Sequence, residues 1–330
     1  MKRLSTFFVF LIVHSFILAE CNERYHMAGR TGFASVINSS NEAVGWGNNG
    51  HNNIDLTDVV ALSSGRWHTL GITSSGTVVV HGGGSNDGES NVPEGLTDVV
   101  GVAAGEGYSY AVTASGEVVG WGEMCAGTPA QDAIPDGLSD VVSLSSTHCT
   151  MFALKSSGEL ISWTDGNSYN CENIPGSAQS DVIAVDGGNY HVLALKSNGQ
   201  VVGWGWGYAG ITNVPSSAQS DIVAIAAGEQ HSSALTSSGE LIAWGNNQHG
   251  QISTPSNFED VVAIGAAGFV SMAIKSSGEL LVWGQTLNTD APTDIDALVC
   301  GNESVDISGC TDSNACNYDI AATSDDGSCT

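Results

Sequence analysis

The sequence predicts an all-β protein, a seven-bladed β-propeller with N- and C-terminal strands closing one blade, plus a short disulfide-rich tail. Three observations carry this. A turn of the form SSG recurs at Gly76, Gly116, Gly158, Gly199, Gly239 and Gly278, and a first copy, NSSN, ends at Asn41. The chain therefore repeats itself seven times with a period near forty residues. Each copy holds three short β-rich segments separated by turn signals, the pattern of a small antiparallel sheet. Composition agrees, because Gly is 42 of 330 residues and charged residues are only 13 %. Beyond the first 20 residues no long stretch carries apolar residues at helical spacing.

The N-terminus, MKRLSTFFVFLIVHSFILAEC, has Lys2 and Arg3, an apolar run from Phe7 to Leu18 and the small residue Ala19. It reads as a secretory signal peptide over residues 1–19, too short for a membrane span. LAEC resembles a lipoprotein cleavage box, but Glu20 occupies a position that needs a small residue. The expected product is exported and extracellular. Residues 20–301 form the propeller and residues 302–330 the tail.

Within each repeat, an apolar segment opens with an acid, as in DVVALSSG or DIVAIAAG. It lacks polar alternation, so both of its faces are expected to be buried, as in the innermost strand of a blade. The opening acids Asp58, Asp98, Asp140, Asp181, Asp221, Asp260 and Asp294 are assigned to strand-start hydrogen bonding, with a cation-attracting ring along the axial channel as the alternative. A second segment such as HSSALT follows, then the turn, whose last residue needs the positive φ that Gly adopts freely and Asn tolerates. A third segment such as ELIAWG ends the unit. The first hairpin has only RYHMAG before it, whereas DIDALVCG, Asp294 to Gly301, has no hairpin after it. The C-terminal strand is expected to complete the first blade and remove the open sheet edges. Eight cysteines favour disulfides in an exported chain, and Cys21 and Cys300 are candidates for a bond at this seam.

The stretch GEQHSSALTSSGELIAWGNNQHGQ resembles the repeat of the regulator of chromosome condensation (RCC1) superfamily. The short period and linkers such as VPSSAQSDIVAIAAG resemble its secreted branch, typified by a β-lactamase inhibitor protein (BLIP-II-like). The resemblance covers about residues 25 to 301. It implies a propeller and leaves function open, since the superfamily includes exchange factors, photoreceptors and inhibitors.

His68, His148, His191 and His231 are assigned to one repeat position, and Trp46, Trp121, Trp163, Trp204, Trp244 and Trp283 to another. Recurrence in blade after blade marks them as packing. HGGG at His81 to Gly84 has no GxSxG partner, and GWGYAG at Gly205 to Gly210 has no helix after it, so neither predicts an enzyme site. Residues that vary in the links before the shared histidine carry the functional expectation. Arg66, Trp67, Tyr108, Tyr190 and Phe269 are of the types that anchor interfaces. They mark a protein-binding face, with a carbohydrate-binding propeller bearing one aromatic pocket per blade as the second reading and a hydrolase as the third. The loops after the tryptophans are expected at the other end of the hairpin, as a second and more polar surface.

Net charge is −27, or −29 after removal of Lys2 and Arg3. Such a chain repels phosphate backbones and anionic lipid, so neither nucleic acid nor membrane insertion is expected. The tail from Gly309 resembles Cys/Asp repeats ending in DDGSC found in large secreted proteins of marine bacteria. Its Asp312, Asn314, Asp319, Asp325 and Asp326 offer oxygen ligands for calcium without the EF-hand spacing. No other cofactor is expected.

Overall fold

A computed structural model describes residues 27–30, 33–47, 54–83, 87–166, 169–285, 295, 297, 308–309 and 324–325. They form seven three-stranded antiparallel sheets, each pairing consecutive strands. Blade 1 is β1 (Met27–Arg30), β2 (Phe33–Ile37) and β3 (Ala43–Gly47). Blades 2 and 3 are β4 (Val59–Ser64), β5 (His68–Thr73), β6 (Val78–Gly82) and β7 (Val99–Ala104), β8 (Tyr108–Thr113), β9 (Val118–Gly122). Blade 4 is β10 (Val141–Ser146), β11 (Thr150–Lys155) and β12 (Leu160–Thr164), and blade 5 is β13 (Val182–Gly187), β14 (His191–Lys196) and β15 (Val201–Gly205). Blade 6 is β16 (Ile222–Ala227), β17 (His231–Thr236) and β18 (Leu241–Gly245), and blade 7 is β19 (Val261–Ala267), β20 (Val270–Lys275) and β21 (Leu280–Gly284). The signal peptide, Cys21, Cys300, Asp312, Asn314, Asp319 and Asp326 lie outside the described residues. Asp325 lies in a short strand, β23 (Ser324–Asp325), paired in parallel with β22 (Ser308–Gly309).

The core lies between blades. Seven hydrophobic clusters occupy the seven interfaces between neighbouring sheets. The cluster joining blades 7 and 1 packs Met272 and Ile274 against Met27, Val36 and Ala297, which closes the ring. Both chain ends enter the innermost position of blade 1. β1 pairs Met27 with Val36, and Ala297 bridges Asn38 two residues further along. Met27–Arg30, which holds the end of RYHMAG, therefore supplies part of that strand, and Ala297 joins it from the C-terminal side. Ala297 N donates to the turn carbonyl of Gly278, just as Ile222 N does to Gly199, so the repeat register places the opening acid at position 296 and not at Asp294.

Each turn is built as its sequence requires, with φ of 59° at Asn41 and +74° to +86° at the six turn glycines. The opening acids hydrogen-bond at the strand starts as expected, and at Asp98, Asp140, Asp181 and Asp221 a carboxylate oxygen accepts from the preceding Thr or Ser hydroxyl. Asp58, Asp98, Asp140, Asp181, Asp221 and Asp260 all have φ between 56° and 62°, a left-handed corner that Asp tolerates. Their backbone carbonyls accept from the residue after each second strand, such as Ser237 N on Asp221 O at 2.8 Å. They are exposed and none lines the central cavity, so no axial acid ring forms among the described residues. A bulge follows every one of these corners, skipping the second strand residue. The expectation of two buried faces fails there: Val223 is 55 % exposed, and Val100, Val142 and Ile183 are exposed too.

Neighbouring blades are latched by a repeated polar chain. His191 Nε2 lies 2.8 Å from Ser232 Oγ. That hydroxyl donates to Ile211 O at 3.0 Å, and Trp244 Nε1 donates to the same carbonyl at 2.8 Å. His231, Ser271, Gln251 O and Trp283 repeat the arrangement, as do His68, Ser109, Glu89 O and Trp121. With its proton committed to the carbonyl, the serine accepts from the histidine, which fixes the Nε2–H tautomer. His148 is not part of this set. Thr147 N bonds Thr150 O as Gly65 N bonds His68 O, so Thr150 holds the repeat position and His148 lies in the link. His81 does replace the blade tryptophan, pairing with Thr69 as Trp121 pairs with Ser109.

A Cβ on Gly188 would lie 2.2 Å from Gly228 O in the next blade. Gly188→Ala should destabilise the fold by about 1–3 kcal/mol in chemical denaturation, whereas Gly176→Ala, where nothing lies within 4 Å, should not.

Burial pushes the His191 imidazole down to about 3, with His231 adding to the effect, and pushes His231 to about 4. Nδ1 of both faces no partner, so a proton there would be an unpaired buried charge. The unfolded chain takes these protons near pH 6.5 and the folded chain refuses them until pH 3–4. Stability is thus intact above pH 7 and falls with pH, by about 1.4 kcal/mol per unit for each histidine. Urea titrations from pH 7 to 5 should show this slope, reduced in His191→Gln.

Candidate functional site

The links between first and second strands gather around one end of the axis. Their backbones interlock from blade to blade: Arg66 N donates to Gly105 O, His148 N to Asn189 O, Asn189 N to Gly228 O and Glu229 N to Gly268 O, at 2.8–3.4 Å. Behind them lies a central cavity of about 540 Å³, lined by inner-strand residues such as Ser63, Ser145 and Asp186. Those three side chains accept backbone N–H groups of the next blade and so add to the ring's cohesion.

The loops after the third strands emerge at this same end, which corrects the expectation of two separate surfaces. Gly83 N donates to Trp67 O, Glu123 N to Gly107 O, Trp206 N to Tyr190 O, Asn246 N to Gln230 O and Gln285 N to Phe269 O, at 2.8–3.0 Å. The geometry of a hairpin explains it. A third strand running antiparallel to the second ends where the second began, beside the link.

On this composite face Arg66 is exposed, lies 5.1 Å over the Trp67 ring and pairs with Glu106. Glu106 also accepts from His148 Nδ1 at 2.8 Å. That hydrogen bond is the main reason its carboxyl sits below the usual range, with the charges of His148 and Arg66 adding to it against the cost of burial. Phe269 packs on His249 with ring centres 5.1 Å apart. Tyr190 belongs to the largest group: Tyr169 lies 4.8 Å and Trp206 5.3 Å from it, and Tyr208 stacks on Trp206 at 5.0 Å and 17°. Burial raises the Tyr190 phenol. Trp206 and Tyr208 are 41 % and 46 % exposed.

Tyr108 does not belong to the face. It is fully buried, begins β8 at the latch position and donates from its hydroxyl to Thr147 O at 3.2 Å. The spacing Gly105 to Tyr108 equals Gly65 to His68, so Tyr108 is a strand residue and no link residue. Conversely, sequence reasoning did not single out Tyr169, placed Trp206 and Tyr208 on the second, more polar surface and His148 at the packing position, and gave Glu106 no anchoring role. A signal for two of them existed: the position after the third strand is Asn48, Gly83, Glu123, Asp165, Asn246 or Gln285 in the other blades and Trp only at 206, with Tyr208 beyond it.

Cys125, in the loop after β9, and Cys149, in the link of blade 4, form a disulfide on this face, Cα atoms 5.6 Å apart. Closing a 24-residue loop, it contributes about 3 kcal/mol by constraining the unfolded chain. Cys171 is a buried thiol pushed up to about 12 by burial, hence unreactive. The latch Ser–His pairs resemble a nucleophile and base, yet they recur three times, are buried and spend the hydroxyl proton on a carbonyl. They offer no accessible nucleophile.

The fold defines the class: a seven-bladed β-propeller. Residues 182–211 and 222–251 match the regulator of chromosome condensation (RCC1) repeat. The CRINKLY ectodomain of the Arabidopsis thaliana receptor kinase ACR4 is 18 % identical, covering 82 % of this chain and 98 % of that one, with a TM-score of 0.62. Prp20p of Saccharomyces cerevisiae, whose structure is described with its binding to Gsp1p and histones, is 19 % identical over 68 % of this chain and 72 % of that one, TM-score 0.56. Yeast RCC1 (Prp20) bound to Kap60 is 18 % identical over 76 % of each chain, TM-score 0.58. At these identities the likeness is one of fold. A comparison with curated proteins found no match.

Proposed function

We propose that this chain is an exported binding propeller of the short-repeat, BLIP-II-like branch, with no catalysis of its own. Its link face, Arg66, Trp67, Tyr190 and Phe269 joined by Tyr169, Trp206 and Tyr208, docks an extracellular protein. The observation that carries this is the four-ring group of half-buried Tyr169 and Tyr190 with exposed Trp206 and Tyr208, in a scaffold whose other blades place small or polar residues at the position of Trp206. Rigid aromatic rings bury large area at low entropic cost, and Trp, Tyr and Arg dominate binding hot spots. With 35 acidic against 8 basic residues, the chain favours a partner with a basic surface. The solved propellers with Gsp1p, histones and Kap60 support the reading in one respect: this fold serves as a protein-docking platform in other chains. Carbohydrate binding through one aromatic pocket per blade fits less well, because the rings gather in blades 4 and 5.

Affinity capture from extracellular fluid with the wild-type chain should retain a protein that the Trp206→Ala, Tyr208→Ala double variant releases. Hot-spot losses of about 2 kcal/mol per anchor weaken binding by roughly 30-fold each. Both side chains are half in solvent, so the variant keeps its fold. Equal retention by the two chains, or a glycan array that lights up while no protein is retained, would refute the assignment.

A further inference from the structure

Glu106, Cys125, His148 and Cys149 converge from three segments, and the ligand atoms they offer all lie within 4.8 Å of one another. Two sulfurs, an imidazole nitrogen and a carboxylate oxygen form the donor set of a four-coordinate zinc site. Thiolate softness argues against calcium or magnesium, and the mixed nitrogen and oxygen donors suit borderline Zn²⁺. In the disulfide state the sulfurs are not thiolates and the set is incomplete. We propose that this cluster is a redox-gated zinc site, a disulfide when oxidised and a Cys₂HisGlu zinc centre when reduced.

The surroundings fit a ligand set. Arg66 holds one carboxylate oxygen of Glu106 as outer-shell partners of metal ligands do, and the other oxygen faces His148, whose hydrogen bond to it gives way when both bind the ion. Cys149 is buried and fixed in the link, Glu106 and His148 are half-buried, and Cys125 is exposed on its loop, so an ion can enter from solvent. With Arg66 counted, two thiolates, one carboxylate and one guanidinium leave a charge of −2, which Zn²⁺ neutralises. The step balances with a small dithiol as reductant. Its two electrons and two protons convert the Cys125–Cys149 bond into two thiols, and the dithiol leaves as its own disulfide. Zinc uptake then releases both thiol protons, and a third where His148 is protonated. The His148 ring lies 6.4 Å from Tyr169, so the exchange takes place at the border of the aromatic group.

The experiment uses the full chain, oxidised or reduced with a phosphine that is then removed, dialysed against Zn²⁺, with Co²⁺ as a spectroscopic probe. The reduced chain should hold one tightly bound ion and show thiolate-to-cobalt charge transfer, and the oxidised chain should show neither. His148→Ala, whose oxidised form keeps the disulfide and reports folding through its thermal melt, should weaken zinc on the order of 100-fold, and Arg66→Gln about 10-fold. Cys149→Ser should abolish the cobalt signal assigned to this site. No uptake by the reduced chain, or uptake unchanged in His148→Ala and Cys149→Ser because other cysteines hold the metal, would overturn the proposal. So would peptide mapping of the oxidised chain that found Cys125 and Cys149 unlinked.

Discussion

A three-stranded sheet with apolar faces cannot stand alone in water, and every blade here buries its faces only against its two neighbours. An open row of seven such sheets would expose two end faces. The composite inner strand of blade 1, part from Met27–Arg30 and joined by Ala297 from the C-terminal side, removes both ends at once. The interface of blades 7 and 1 is therefore the contact on which all the others depend.

Apolar faces alone do not fix how far one blade turns against the next. Between blades 2 and 3, 5 and 6, and 6 and 7 the latch of histidine, serine, carbonyl and tryptophan supplies that, because four groups must meet at hydrogen-bonding distance across two blades and their connecting loop. Glycines such as Gly188 let the link backbones approach closely enough to interlock. With the scaffold held at this end, neighbouring links and third-strand loops form one continuous rim. Some side chains there, such as Thr147 and Asn246, are buried, whereas those that reach solvent, such as Trp206 and Tyr208, turn variation between blades into recognition chemistry.

Much of this was legible in the sequence, for physical reasons. Turn glycines and Asn41 announce positive φ, and recurring tryptophans announce a repeated packing site, so blade number and ring closure could be read from spacing. Tyr108 and His148 were misplaced because histidine was used as the register mark, and blade 3 has Tyr while blade 4 has Thr150 at that position. The spacing Gly105 to Tyr108 already marks the register in blade 3, whereas in blade 4, which has Thr147 in place of the glycine, the backbone bonds reveal it. The bulges that expose Val223 and its counterparts leave no trace in composition, since the skipped residue is as apolar as its neighbours. The pairing of Cys125 with Cys149 depends on two loops of adjacent blades meeting, which no spacing within the chain encodes.

Native-state hydrogen exchange tests ring closure most directly. If the two chain ends complete blade 1, the amides of Val36 and Ile37 exchange only through the same global opening as those of Leu193 and Leu195 in blade 5. Exchange at Val36 and Ile37 through a separate, lower-energy opening, while blade 5 stays protected, would show that the ring is not closed there.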